Sequence, residues 1–183
     1  MPTADVSARV AWADDAVAIA AVQVRAWRTS YADLLPPEIL AALDVDEMAA
    51  GWADSLNRPG DARHRVLVAL ERNLVTGFVL TGPAADPDAD PVSVGELTDL
   101  TVDPHQRGQG HGSRLLQAAA DTLVADRFIR AVTWLPANDD ALRGFLTAAG
   151  WGADGAHRTL DLTGDGSTTI KQVRLHTSLV DEQ

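Results

Sequence analysis

Residues 102–112 read VDPHQRGQGHG. Glycines alternate at 108, 110 and 112, directly after Arg107. An apolar strand-like run precedes them and a helix-like run follows. Such a turn lets backbone N–H groups come close to an anion, at the positive end of the next helix. Side chains at the three glycine positions would block that approach. The chemistry written here is a phosphate or pyrophosphate cradle over residues 107–112, with Arg107 and Arg114 placed to add charge-assisted contacts. Ser113 opens the helix as a cap or a phosphate contact. No G-x-S-x-G elbow makes it a nucleophile.

Other phosphate motifs are excluded by spacing. The dinucleotide fingerprint needs GxGxxG early in a βαβ unit, whereas this turn is GxGxG and lies past the middle of the chain. GxxxxGK[ST] is absent and no lysine stands near, which argues against nucleotide hydrolysis. Asp86, Asp88 and Asp90 imitate a calcium loop. Its sixth position would be Pro91 instead of glycine and its twelfth Leu97 instead of glutamate. His105 and His111 flank the turn without a third metal ligand nearby, and they read as surface histidines. No metal is expected.

The elements that must carry the turn follow from periodicity. A strand is expected at 8–12 and a helix over 14–31, capped by Asp14 and Asp15, with Val17, Ala21, Val24, Trp27 and Tyr31 at helical spacing. Shorter helices are expected from Pro37 and over 45–56. Residues 66–70 and 75–80 flank Glu71-Arg72-Asn73 as a hairpin. GPAADPDADP, 82–91, reads as an exposed loop. The strongest strand is 92–102, which carries the buried-looking acid Glu96. A helix to about 126, a strand at 131–135, a helix over 139–149 stopped by Gly150, and a closing strand at 170–179 complete the order. Helices should pack on a largely antiparallel sheet. Among the tryptophans, Trp12, Trp134 and Trp151 read as core or pocket wall, while Trp27 and Trp52 are the candidates to face a substrate.

With 183 residues, one domain spanning 1–183 is expected. Fifteen basic against 26 acidic residues give a net charge of −11. That surface repels nucleic acid and anionic membranes and mildly favours a cationic substrate. The chain has no cysteine, so it holds no disulfide, thiolate metal site or cysteine nucleophile. The opening MPTADVSARV lacks a secretion signal, and the apolar stretch 16–22 is too short to span a membrane, so a cytoplasmic protein is expected.

The segment GELTDLTVDPHQRGQGHGSRLL resembles the coenzyme A signature of the GNAT family of N-acetyltransferases. There a strand ends in V-x-P and Q/R-x-x-G-x-G/A opens a helix. Val102, Pro104, Arg107, Gly110 and Gly112 match. WLPANDDALRGFLTAAGW, 134–151, is similar to the family's second motif through Asn138, Ala141, Phe145 and Gly150, with Trp151 at the aromatic place. AWRTSYADLLP resembles the opening helices of bacterial members. The resemblance covers essentially the whole chain.

It implies an α+β fold with a central mixed, mostly antiparallel twisted sheet, a V-shaped split between two neighbouring strands (96–102 and 131–135), and flanking helices. It implies acetyl-CoA as cosubstrate and direct attack by an acceptor amine. The pyrophosphate would lie on Arg107, Gly108, Gln109, Gly110, His111, Gly112 and Ser113. The pantetheine arm would run by Leu100, Thr101, Val102, Asn138, Ala141 and Phe145. Trp27 and Tyr31 would face the acceptor. An ammonium with a pKa of about 10.4 must lose a proton before it attacks. Glu96 is the first candidate base and Asp99 the second, and a bulge in the strand would decide which faces the substrate. Relatives commonly protonate the leaving thiolate with a tyrosine where this chain has Leu146. Water or Tyr31 could serve instead. A non-catalytic acyl-CoA-binding module is the alternative that Leu146 raises. The acceptor is a small-molecule or protein amine, and many relatives are homodimers.

Overall fold

The computed structural model describes residues 5–180. Residues 1–4, part of the stretch read for a secretion signal, lie outside it. In chain order the elements are β1 (Val6–Val10), α1 (Ala16–Ser30), α2 (Pro37–Ala41), α3 (Val45–Asn57), β2 (Arg65–Glu71), β3 (Leu74–Pro83), β4 (Val94–Val102), α4 (His111–Ala125), β5 (Arg130–Pro136), α5 (Asp140–Ala148), β6 (Gly152–Asp161) and β7 (Thr169–Ser178). The strands form one seven-stranded sheet in the order β1-β2-β3-β4-β5-β7-β6. The β1–β2, β2–β3, β5–β7 and β6–β7 pairs are antiparallel, and β4–β5 is parallel.

The described residues gather into two compact units. The first holds the chain through Gly82 and Asp99–Thr122; the second holds Pro83–Thr98 and the chain from Leu123 on. In the first, Ile19 and Val22 of α1 pack with Val68, Leu70 and Phe78 of the β2–β3 hairpin. That hairpin turns on Arg72 (φ 49°) and Asn73 (φ 68°), the left-handed pair that a two-residue turn between twisted strands requires. Trp52 of α3 meets Phe78 edge-on, and its indole N–H donates to Gln23 Oε1 at 2.8 Å. It therefore belongs to this core, against the expectation that it faces a substrate. Trp12 departs the other way. It is 64% exposed, with the Arg9 guanidinium 3.8 Å from its ring centroid.

Two further expectations are corrected here. Asp15 does not cap α1 with its side chain. Its carboxylate accepts from Trp12 N–H at 2.7 Å and from Arg9 at 2.7 Å and 3.1 Å, which fixes the entry to the helix. The first strand begins at Val6, two residues earlier than its apolar pattern suggests.

In the second unit, Leu123, Phe128 and Leu97 are buried, and Leu123 and Phe128 lie against the bare backbone of Gly95. The loop before β4, expected as an exposed loop over 82–91, is largely open to solvent but is clamped from one side. Arg174 of β7 reaches Asp86 Oδ2 (3.0 Å), Asp88 Oδ1 and Oδ2 (both 2.8 Å) and Asp154 Oδ2 (2.7 Å). The indole N–H of Trp134 donates to Asp86 as well, at 3.0–3.1 Å. Two carboxylates of the calcium-like triplet are thus occupied by an arginine. β6 was not expected at all. Among the described residues no helix is long and apolar enough to cross a membrane.

Candidate active site

The glycine turn sits where the sequence puts it, between the end of β4 and the start of α4. Gly108 (φ 75°) and Gly110 (φ 83°) are left-handed, a conformation side chains resist, so glycine is needed there for the backbone itself. A Cβ on Gly108 would meet open space, and one on Gly110 would come within 3.5 Å of the Arg114 guanidinium. The first N–H groups of α4 have no carbonyl within the helix to bond. An arginine beside an open, left-handed, N–H-rich turn suits a diphosphate. The donor's polar end therefore fits the residues present.

The approach to the turn is tied down. Asp103 is buried, and its N–H donates to Thr76 O on β3 at 2.8 Å. Its carboxylate accepts from Arg25 of α1 at 2.6 Å and 3.0 Å and from His105 N–H at 3.0 Å. Desolvation pushes its carboxyl up, but the Arg25 bond and the His105 N–H outweigh it and the pKa is lowered. An ionised Asp103 thus couples α1 to the loop that starts the turn. Spacing along the chain gave no sign of this pair, which lies 78 residues apart.

Asp99 is the irregular point of β4. Its φ is 53° in mid-strand, a left-handed backbone that is uncommon for any residue with a side chain. The carboxyl keeps contact with solvent, yet enough protein surrounds it that desolvation raises its pKa. Tyr31 ends α1 close enough for the charge of Asp99 to act on it. Burial first, and that charge second, raise the phenol's pKa. Trp27, one turn earlier, meets Tyr31 edge-on with ring centroids 6.1 Å apart. Trp27, Tyr31 and Asp99 are therefore brought together, with Leu100, Thr101 and Val102 following on the same strand.

Glu96 has a different setting. Its Oε2 accepts from Ala85 N–H at 3.2 Å, from the loop that Arg174 clamps. The parallel ladder of β4 with β5 runs over three pairs, Val94–Arg130, Gly95–Ala131 and Glu96–Val132. Past them Thr133 Oγ1 donates to Leu97 O at 2.7 Å, a side-chain bond between the two strands. Asn138 is exposed on the turn after β5, and Ala141 and Phe145 follow on α5, which Asp139 caps by accepting from Leu142 N–H at 3.0 Å.

A protein-family model, Acetyltransferase (GNAT) family, matches residues 23–151. The uncharacterized N-acetyltransferase YuaI of Bacillus subtilis (strain 168) is 30% identical over 131 residues, 71% of each chain. The chain belongs to the GNAT family of acetyltransferases. Solved structures share its fold. YncA of Salmonella typhimurium, solved with its cofactor acetyl-CoA, aligns with a TM-score of 0.71 at 18% identity, covering 98% of this chain and 96% of that one. The ribosomal-protein-alanine N-acetyltransferase of Brucella melitensis aligns with a TM-score of 0.70 at 22% identity, covering 93% and 98%.

This GNAT protein is thus an N-acetyltransferase that draws its acetyl group from acetyl-CoA. Its departure at Leu146 is complete, because that side chain is 2% exposed and apolar. No proton can come from there. The other GNAT feature that the sequence misplaced is His111. Far from lying on the surface, its side chain is wholly buried beneath the turn, so only its backbone N–H can meet a phosphate.

Proposed function

We propose that this acetyltransferase moves the acetyl group of acetyl-CoA onto a primary amine by direct attack, with Asp99 as the base. The observation that carries the reading is Asp99 itself. A left-handed residue in mid-strand holds a carboxyl whose pKa desolvation raises, beside an aromatic pair. A backbone strained in this way persists only where its surroundings hold it, and such strain gathers at functional sites. A carboxyl pushed toward neutrality is a better proton acceptor than an ordinary one. Glu96 accepts a backbone N–H from Ala85, and we assign it the lesser role of shaping the site and ordering water.

The chemistry then runs on this chain's groups. Trp27 and Tyr31 wall an acceptor ammonium, which their ring faces attract. Asp99 takes one proton from it, directly or through a water. The freed lone pair forms the C–N bond as the C–S bond breaks, the nitrogen's second proton passes to the departing thiolate directly or through water, and no acyl-protein is needed. Tyr31, the chain's one tyrosine, holds its proton at neutral pH as any phenol does, and burial and the Asp99 charge raise its pKa further. A thiol of pKa about 8.5 leaves without obligatory help, so Leu146 slows the step without preventing it. Arg107 and the backbone of residues 108–113 hold the pyrophosphate. Leu100, Thr101 and Val102, which lead into the turn, would line the path of the pantetheine.

The test combines binding and turnover. Thermal shift with coenzyme A, acetyl-CoA, ATP and NAD on wild type and Gly110→Trp should show stabilisation by both coenzyme A forms that the variant loses. Thiol release from acetyl-CoA across a panel of primary amines should then fall in Asp99→Asn. Full activity in Asp99→Asn would remove the base assignment and return it to Glu96.

A further inference from the structure

Beneath the glycine turn lies a buried histidine side chain, with charged neighbours, that no cofactor contact accounts for. His111 is the first residue of α4, and its side chain has no solvent exposure. Two charged groups face its two ring nitrogens. On one side Arg114 NH1, from the next turn of α4, lies 3.4 Å from Nδ1. On the other side Glu71 Oε2, at the end of β2, lies 3.3 Å from Nε2. That second contact is close but poorly aligned, and Nε2 has no hydrogen bond of its own. The same Arg114 NH1 donates to Gln109 O at 3.4 Å, and the guanidinium stands over Gly110.

The partners fix the tautomer. A guanidinium has donors only, so Nδ1 must offer its lone pair to Arg114. A neutral ring then carries its proton on Nε2, toward the Glu71 carboxylate. Glu71 sits at the hairpin end of β2, paired with Val6 of β1 and Leu74 of β3. The hydrogen-bonded links run from Arg114 to His111 Nδ1 and from Arg114 to the carbonyl of Gln109, with the Glu71 carboxylate near but not bonded to Nε2.

We propose that His111 is a positioning residue. It holds the Arg114 guanidinium in place over the glycine turn, so that the diphosphate of the acetyl donor meets a charge already fixed. This rests on the reading that the turn takes that diphosphate. A buried histidine with an unbonded Nε2–H is costly as mere filling, since a leucine would remove the orphaned donor at similar volume. The residue makes sense where the lone pair of Nδ1 is used. An arginine held in advance loses less side-chain freedom on binding than a loose one.

The probe is coenzyme A, with its Kd measured by calorimetry on wild type, His111→Leu, His111→Asn, Arg114→Gln and the His111→Leu/Arg114→Gln double variant. His111→Leu should weaken binding roughly fivefold to tenfold, the scale of one net hydrogen bond, while its melting temperature holds or rises. A merely structural residue would lose both together. His111→Asn keeps an acceptor near the Nδ1 position and should restore most of the affinity. The double variant should bind no worse than Arg114→Gln alone, because both changes remove one guanidinium contact. In the free wild type, nitrogen NMR of the neutral His111 ring should find its proton on Nε2.

Unchanged affinity in His111→Leu, a fully additive double variant, or a proton on Nδ1 each overturns the proposal. No binding of coenzyme A by wild type would instead remove the diphosphate from this turn, and this role of His111 with it. Binding by wild type that is indifferent to His111 leaves the function standing and sinks the positioning role alone.

Discussion

Asp99 in the first unit and Asp154 in the second are both strand aspartates, and their protons are held in opposite ways. Desolvation presses on both. At Asp99 nothing outweighs it and the pKa rises. At Asp154 the Ala156 N–H and the Arg174 guanidinium outweigh it and the pKa falls. Asp88 is lowered by the same arginine, first through its hydrogen bond. Around Arg174, charge is matched to charge and holds a loop. At Asp99, an exposed residue, desolvation raises the pKa and no cation among the described residues pairs with it, on a backbone already in a rare conformation. The first arrangement serves stability and the second leaves a group able to react. The largest expected effect tests this division directly. Asp99→Asn should lower turnover about 10²–10⁴-fold, the range for a lost general base. It should also raise stability at neutral pH. The sign follows from linkage: a carboxyl whose folded pKa is raised binds its proton better in the folded state, so its ionisation works against folding as pH climbs through that pKa. Asn carries no such charge and tolerates the left-handed backbone. The gain in melting temperature should vanish near pH 3 and open above the ordinary carboxylate range. A variant less stable than wild type at pH 7 would mean that Asp99 has an unseen structural partner.

Removing the matched cation should do the reverse. Arg174 is nearly buried and faces three carboxylates. Arg174→Met should cost about 2–3 kcal/mol, below the range for a fully buried pair because Asp88 is open to water. Melting curves would read this as a fall of several degrees. The pH dependence runs opposite to that of Asp99. Carboxyls with lowered folded pKa stabilise above their unfolded values, and that contribution is lost as pH falls through the folded pKa. Wild type should therefore lose stability on acidification below about pH 4, and Arg174→Met should show a flatter acid limb. Equal acid limbs would mean that the clamp adds nothing in solution.

Glu96 stands between these cases, a carboxylate on the same strand as Asp99 but held by the backbone N–H of a clamped loop. Glu96→Gln keeps an acceptor for Ala85 N–H, so turnover should fall by less than about tenfold, with the pH profile still set by Asp99. A loss as large as that of Asp99→Asn would exchange the two roles.

What the sequence made legible divides along similar lines. The glycine turn could be read because its requirement, positive φ at 108 and 110, is met by the residue type itself. The helices of 37–41, 45–57 and 140–148 could be read because Pro37, Asp44 and Asp139 mark their starts. β6 was missed because GADGAHRTLD carries glycines and charges in place of an apolar alternation; as an edge strand it needs only its pairing with β7. The positive φ at Asp99 left no trace, since aspartate tolerates left-handed backbone without announcing it. The clamp was hidden because Arg174 lies 86 and 88 residues from the aspartates it binds. His111 looked like a surface histidine because nothing local shows that it turns inward toward Glu71.

The smallest effect closes the comparison from the side of stability. Arg58 and Asp54 form an ion pair at helical spacing, as direct as any made by Arg174. Their side chains are 79% and 62% exposed. Water and salt screen such a pair, and holding two long side chains together offsets much of the attraction. Arg58→Ala should therefore shift the melting temperature by less than about 2 °C, and added salt should erase even that. If it matched Arg174→Met, burial would not be what separates the clamp from an ordinary surface pair. The stability attributed to Arg174 would then belong to ion pairing in general, rather than to a cation enclosed by the carboxylates that need it.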